Sequence, residues 1–317
     1  LRKGISAMLN FYKTVDNRII KIDAPEPGCW ISVISPAESE VAFLTKELGV
    51  EADFVRAALD EEESSRIEKE NGQTLVIIDY PSAEEQADKN KTILYTTLPM
   101  GIIMTDNYII TVCLEDNLTI QDMIQGRVKG LQTTLKTRFL LMTLLRIAAR
   151  FLQYLKQIDK ISYSTEQRLH QSMRNKELIQ LLGLEKSLVY FSTSLKSNEV
   201  TLEKILRGRI IKLYEEDEDL LEDVLIEIKQ AIEMGNIYSG ILSGTMDAFA
   251  SVISNNLNIV MKVLTCITII MAIPTMVFSF YGMNVPLPLA NTWFPLVLSL
   301  IVSLTATIIL IKKDMFH

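Results

Sequence analysis

Between Lys262 and Lys312 the chain carries no charge: residues 263–311 contain no Asp, Glu, Lys or Arg. Two apolar runs dominate the region, "IVMKVLTCITIIMAIPTMVFSFY" at 259–281 and "WFPLVLSLIVSLTATIILI" at 293–311. Each matches the roughly 20 mainly apolar residues that a helix needs to cross a bilayer. A buried hairpin of a soluble protein would have to hide the whole stretch from water, so two spanning helices are the expected reading. Lys262 lies at the start of the first run and Lys312 and Lys313 follow the second, while the loop between has no Lys or Arg. That asymmetry puts both termini in the cytoplasm and the loop outside, as in a multi-pass protein of the cell membrane. Tyr281, Trp293 and Phe294 sit at the outer ends, where interfacial aromatics belong.

The remainder is of another kind. Residues 1–247 are dense in charge, and the 317-residue chain has a formal net charge of −7. An acidic balance argues against a nucleic-acid partner, which selects basic stripes. Cys29, Cys113 and Cys266 are widely spaced with no CxxC, so no disulfide framework is expected and a reducing compartment suits the soluble part. The two histidines, His170 and His317, give no His-rich zinc site. The opening "LRKGISAMLNFYKTVDNR" lacks a sustained apolar region, so no leader is expected there. No nucleophile–base constellation suggests an enzyme, and no P-loop suggests an ATP-driven pump.

Residues 1–118 read as a cytoplasmic α/β domain. "CWISVIS" (29–35), "TLVIIDYP" (74–81), "KTILYTTLPMGIIMT" (91–105) and "YIITVCL" (108–114) are β-rich, while "AESEVAFLTKEL" (37–48) and "EADFVRAALDEE" (51–62) have helical period. From about 119 the strand signals stop, and no proline occurs between Pro99 and Pro274. Long helices are predicted at about 132–170, 175–207 and 218–281. The domain reading is therefore a helical hairpin over 119–217, a stalk helix running into the first span over 218–281, a loop at 282–292, a second span at 293–311 and a basic tail at 312–317. The stalk and first span would measure roughly 95 Å at 1.5 Å per residue, too long to stand without a bundle or an oligomer around it.

A polar stripe marks that helix. Steps of four and three from Asp247 meet Ser251, Ser254, Asn258, Met261, Thr265, Thr268, Ala272, Thr275 and Ser279, then Gly282. A period of 3.5 keeps one face turned to an axis. Inside a bilayer such a face must meet protein or water. Close helix packing through small residues would account for part of it. A water-filled pore lined by hydroxyls, an amide and a thioether accounts for its length and for its acidic end at Asp247. Two spans cannot enclose a pore, so several copies would contribute. With no carboxylate in the membrane, the lining would hold a strongly hydrated divalent ion through its intact water shell.

"YGMN" at 281–284, placed between the two runs, resembles the CorA family of magnesium channels and transporters. "SNNLNIVMKVLT" (254–265) and "PT" (274–275) are similar to that family's pore helix. The resemblance covers nearly the whole chain, and is strongest from about 219 to 313. It implies an α+β cytoplasmic domain, a long stalk helix and two transmembrane helices in a funnel-shaped homopentamer embedded in membrane lipid. It also implies passive influx of Mg²⁺ as the function, with Co²⁺ as a further cargo and no small-molecule substrate other than metal ions. Gly282, Met283 and Asn284 would form the selectivity loop. Asn258, Met261, Leu264, Thr268, Ala272 and Thr275 fall at the family's pore-lining positions, with Met261 and Leu264 as the hydrophobic constriction. Gly282 would permit a sharp turn at the helix end. The family commonly has acids after GMN; here "VPLPLANTW" has none, so this mouth would select with neutral oxygens.

"YEEDEDLLEDVLIE" (214–227) is the densest acidic run, which a solvated helix start would explain. The resemblance places Asp223 at a cytosolic regulatory metal site shared with a neighbouring copy. Asp60 is the partner candidate, with Glu61 or Glu62 as substitutes, and Asp247 would form a second acidic ring. A Co²⁺, Ni²⁺ or Zn²⁺ carrier on the same fold, and a membrane-anchored helical scaffold, are the competing readings.

Overall fold

The computed structural model describes residues 8–85, 93–172, 175–208, 210–284, 293–313 and 315. The chain divides into two compact units, Leu1–Ser243 and Gly244–His317.

The first unit is built on a mixed sheet. Strands β1 (Met8–Val15) and β2 (Arg18–Ile22) form a hairpin, followed by β3 (Trp30–Ile34). Helices α1 (Glu38–Lys46) and α2 (Ala52–Ala57) come next, then β4 (Arg66–Glu70), β5 (Gln73–Glu85), β6 (Ile93–Met104) and β7 (Ile109–Cys113). The sheet order is β2-β1-β3-β7-β6-β5-β4, and β3–β7 is its parallel pair. Two tight turns set the hairpin registers. Asp16 and Asn17 both take positive φ between Val15 and Arg18, and Asn71 and Gly72 do so between Glu70 and Gln73. Paired left-handed residues match the right-handed strand twist, which is why Asn and Gly occupy them. β2 and β4 are exposed edges rich in Lys, Arg and Glu, and charge of that kind discourages pairing with other chains. The same charge hid them from a reading based on apolar runs.

Strand alternation sorts the core into two faces. Ile31, Val33, Leu75, Ile77, Ile110 and Val112 pack with Leu44, Phe54 and Val55 from α1 and α2. Gly101 of β6 has its reason here: a Cβ would lie 2.3 Å from Ala58 Cβ, so the end of α2 rests on bare backbone. On the opposite face Trp30 is fully buried, stacks near Phe139 at 5.3 Å and donates its indole N–H to Thr111 Oγ1 at 2.9 Å. Helix α3 (Leu118–Ile124) starts on an Asn117 cap whose side chain accepts from Ile120 N. Asp122 in α3 is buried against three arginines, with Arg127, Arg146 and Arg150 at 3.0, 2.6 and 2.5 Å. Burial by itself would raise its carboxyl, but hydrogen bonds from Arg146 and Arg127 and the arginine charges hold it below the usual range.

Helices α4 (Lys136–Ser172) and α5 (Asn175–Gly208) cover β5 and β6. Phe151 and Phe191 join the helices edge to face at 5.1 Å. α5 docks partly through polar groups. Its Asn198 amide accepts from Asp79 N and donates to Asp79 O, both at 2.9 Å, and accepts from Ser65 Oγ at 2.7 Å. The last β4–β5 pair is Arg66–Ile77, two residues earlier, so Asn198 stands in for the missing strand and satisfies the Asp79 backbone. Burial raises the Asp79 carboxyl above its ordinary range, against hydrogen bonds from Ser194 and Ser65 that lower it.

Helix α6 (Glu215–Tyr281) is one helix of 67 residues with Pro274 inside it. It begins three residues before the predicted start. In the second unit its last part pairs with α7 (Trp293–Lys312), and both contain windows apolar and long enough to cross a membrane.

Candidate ion pathway

The second unit shows how the predicted stripe is placed. Along α6 the less exposed positions are Ile259, Val263, Cys266, Ile270, Ile273 and Val277. Contacts with the other helix run along this side: Ile270 and Pro274 line a groove with Leu296, Ser299 and Ser303, and the buried Cys266 Sγ donates to Met315 O at 3.7 Å. Tyr281 meets Phe294 at 6.0 Å between ring centres, at the loop end of the hairpin. Asn258, Met261, Thr265, Thr268, Ala272, Thr275 and Ser279 are all exposed. At 100° per residue their mean direction lies about 150° from that of the less exposed positions. The stripe is thus on the outer side of the pair, and packing between the two helices of this chain does not explain it. Leu264, also exposed, flanks Met261 on the same side.

Four hydroxyls on the stripe share one habit. Thr265, Thr268 and Thr275 donate to the carbonyls of Met261, Leu264 and Met271 at 2.8, 2.8 and 3.1 Å, and Ser251 donates to Asp247 O at 3.1 Å. Their hydrogens are committed to their own helix.

α6 ends where the motif begins. Gly282 N bonds Phe278 O at 2.9 Å and Met283 N bonds Phe280 O at 3.4 Å. Gly282 is not among the glycines with positive φ, so the expected left-handed cap is not its reason. A Cβ there would stand 3.2 Å from Phe278 O, so glycine answers a close approach to the last helical turn. Gly282, Met283 and Asn284 are all exposed. The loop at 285–292, with its expected neutral rim, lies outside the described residues, as do Asp314 and His317 of the tail.

Asp60 follows α2 in an exposed turn and its Oδ1 accepts from Glu62 N at 3.0 Å. Asp223 and Asp247 are exposed on α6. Among the described residues no three of His, Cys, Asp and Glu gather as a metal site. Glu61 and Glu62 share a recess of about 410 Å³ with Asp79, Thr97, Ser194 and Ser197. Sequence reasoning passed over Asp79, because its surroundings come from Asn198 and Ser194, more than a hundred positions away.

A mixed-sheet unit and a long helix whose apolar end lies beside a second membrane-length helix give the architecture of a membrane protein. The chain matches the family described as CorA-like Mg²⁺ transporter protein over residues 26–313, and it belongs to that family. It is 30% identical over 298 residues to the cobalt/magnesium transport protein CorA of Methanocaldococcus jannaschii, covering 91% of this chain and 89% of that one. The complete structure of the CorA magnesium transporter from the same organism superposes with a TM-score of 0.79 at 25% identity, covering 98% of both chains. The cytoplasmic domain of ZntB from Vibrio parahaemolyticus shares the fold alone, with a TM-score of 0.62 at 12% identity over 79% of this chain and 100% of that one. The chain is thus a divalent-cation transporter of the CorA family, a family of membrane transporters and not of enzymes.

Proposed function

We propose that this chain is one subunit of a homopentameric channel in the plasma membrane, with both termini cytoplasmic, that admits hydrated Mg²⁺ passively. The observation that carries this reading is the stripe from Asn258 to Ser279, which is polar, exposed and turned away from α7. In a bilayer that face needs water or protein beside it, and copies of α6 around one axis supply both. Mg²⁺ dehydrates reluctantly and usually keeps several waters. Asn284 amide oxygens at the mouth would accept hydrogen bonds from those waters without displacing them, and Met261 and Leu264 would close the path by dewetting. The name of the Methanocaldococcus relative includes cobalt, which supports Co²⁺ as a second cargo.

Regulation follows the same reading. Asp60, or Glu61 or Glu62 beside it, and Asp223 would share intracellular Mg²⁺ between neighbouring copies, with Asp247 as a further acidic ring. Mg²⁺ is commonly held by one or two carboxylates plus waters, so a pair contributed by two copies fits its needs. Loss of the ion would leave like charges facing one another and free the copies to separate.

The test is Mg²⁺ influx into liposomes carrying the wild-type protein or Asn284→Ala. Influx is expected with wild type and at least about tenfold less with the variant, equal to about 1.4 kcal/mol of barrier. Undiminished influx in the variant would sink the selectivity assignment, and no influx in wild type would favour a scaffold.

A further inference from the structure

We infer that the open end of the α6–α7 hairpin is a binding site for an anionic phospholipid, with its headgroup on Lys262, Lys312 and Lys313 and an acyl chain in the groove between the helices. Lys262 lies 19 residues before Tyr281, and Lys312 lies 19 residues after Trp293. At 1.5 Å per residue both stand about 28 Å from the loop end, close to the ~30 Å thickness of a hydrocarbon core. The contact from Cys266 Sγ to Met315 O ties the chain after α7 against α6, one turn from Lys262. Three ammonium groups therefore collect at one level. All three are exposed, and none is paired with a carboxylate among the described residues.

A second feature starts below them. Ile270, Pro274, Leu300, Ser303, Leu304 and Thr307 line an open groove of about 410 Å³. Thr307 is five residues from Lys312, so the groove begins about 8 Å below the lysines. A basic rim above an apolar trough matches the two parts of one amphiphile. A second copy of this chain is the poorer occupant: near that level its sequence brings Lys262, Lys312 and Lys313 against the single acidic side chain Asp314, so like charges predominate across an interface.

The inference rests on α6 and α7 spanning the bilayer. Full-length protein in neutral detergent is offered phosphatidylglycerol or phosphatidylcholine of equal chain length, and bound lipid is counted by native mass spectrometry. Wild type is expected to retain phosphatidylglycerol preferentially. Each Lys→Gln change at 262, 312 and 313 should lower that retention about fivefold, leaving phosphatidylcholine unchanged. Ser303→Phe, which fills the groove, should lower retention of both lipids. Glycerol phosphate at millimolar concentration should displace neither. Undiminished phosphatidylglycerol retention in the triple lysine variant overturns the site, and displacement by glycerol phosphate reduces it to a free-phosphate site. A chain that fails to insert into vesicles of either lipid would instead overturn the reading of the spans.

Discussion

The two units of this chain treat apolar surface in opposite ways. In the first, Trp30, Phe54, Ile77 and Phe139 are essentially inaccessible, and the sheet is covered on both faces by the chain's own helices. In the second, Leu257, Met271 and Leu300 remain more than 60% exposed. The first unit has an interior core of buried side chains, because burial of apolar area drives folding in water. The second is complete only where lipid or further copies replace water. The difference also shows within single helices. α5 turns Ser187, Ser194, Asn198 and Thr201 inward and leaves Ile179, Leu182, Val189 and Val200 outside. Near the sheet, polar groups are useful because strand backbone needs partners, and on α6 they are useful because water is expected beside them.

The strongest test of the contrast removes a large apolar side chain from each unit. Trp30→Ala should destabilise the first unit by about 3–5 kcal/mol, read as denaturant unfolding of the full chain in detergent. Leu257→Ala should change stability by less than about 0.5 kcal/mol in dispersed single chains. A large cost in the assembled protein would show that copies cover that face. Next comes Asn198→Ala, which strands the Asp79 amide and carbonyl at the end of β4. It should cost about 2 kcal/mol and loosen α5 from the sheet, visible as faster amide exchange in β5.

A smaller effect is expected from pH. Burial raises the Asp79 carboxyl in the folded chain. Its contribution is therefore full below the unfolded value of about 3.9 and is lost as pH rises through the raised folded value. The thermal midpoint should fall with rising pH over that window, and Asp79→Asn should flatten the slope. The smallest effect concerns Cys113, whose thiol is pushed up to about 12 by burial, with Asn117 pulling the other way. It should resist maleimide in the folded chain at pH 8 and react fully only after denaturation.

How much of this could be read beforehand follows the range of the interactions. β3, β5, β6 and β7 were visible as β-branched runs, because they lie inside the sheet and meet apolar neighbours. β4 reads "RIEKE" and passed unnoticed, although the Asn71–Gly72 pair after it is a strong hairpin signal. The stripe on α6 was legible because one helix carries all of it. What lies against the stripe was not, since on the proposed reading that information resides in other copies. Asp79 was opaque for a similar reason: its carboxyl and backbone are answered by residues of α5, and no local pattern announces them. Gly282 was expected to make a sharp turn at the helix end, yet its φ is not positive, and what the structure shows instead is that a Cβ there would meet the Phe278 carbonyl at a tight 3.2 Å.

The hydroxyls along α6 carry one more consequence. Because Thr265, Thr268 and Thr275 spend their hydrogens on backbone carbonyls, what they offer outward is lone pairs alone. A hydrated cation wears its hydrogens on the outside and meets such a wall without turning a single water. On the proposed reading of α6 as a pore helix, the row would present acceptors to a hydrated cation while bearing no charge of its own.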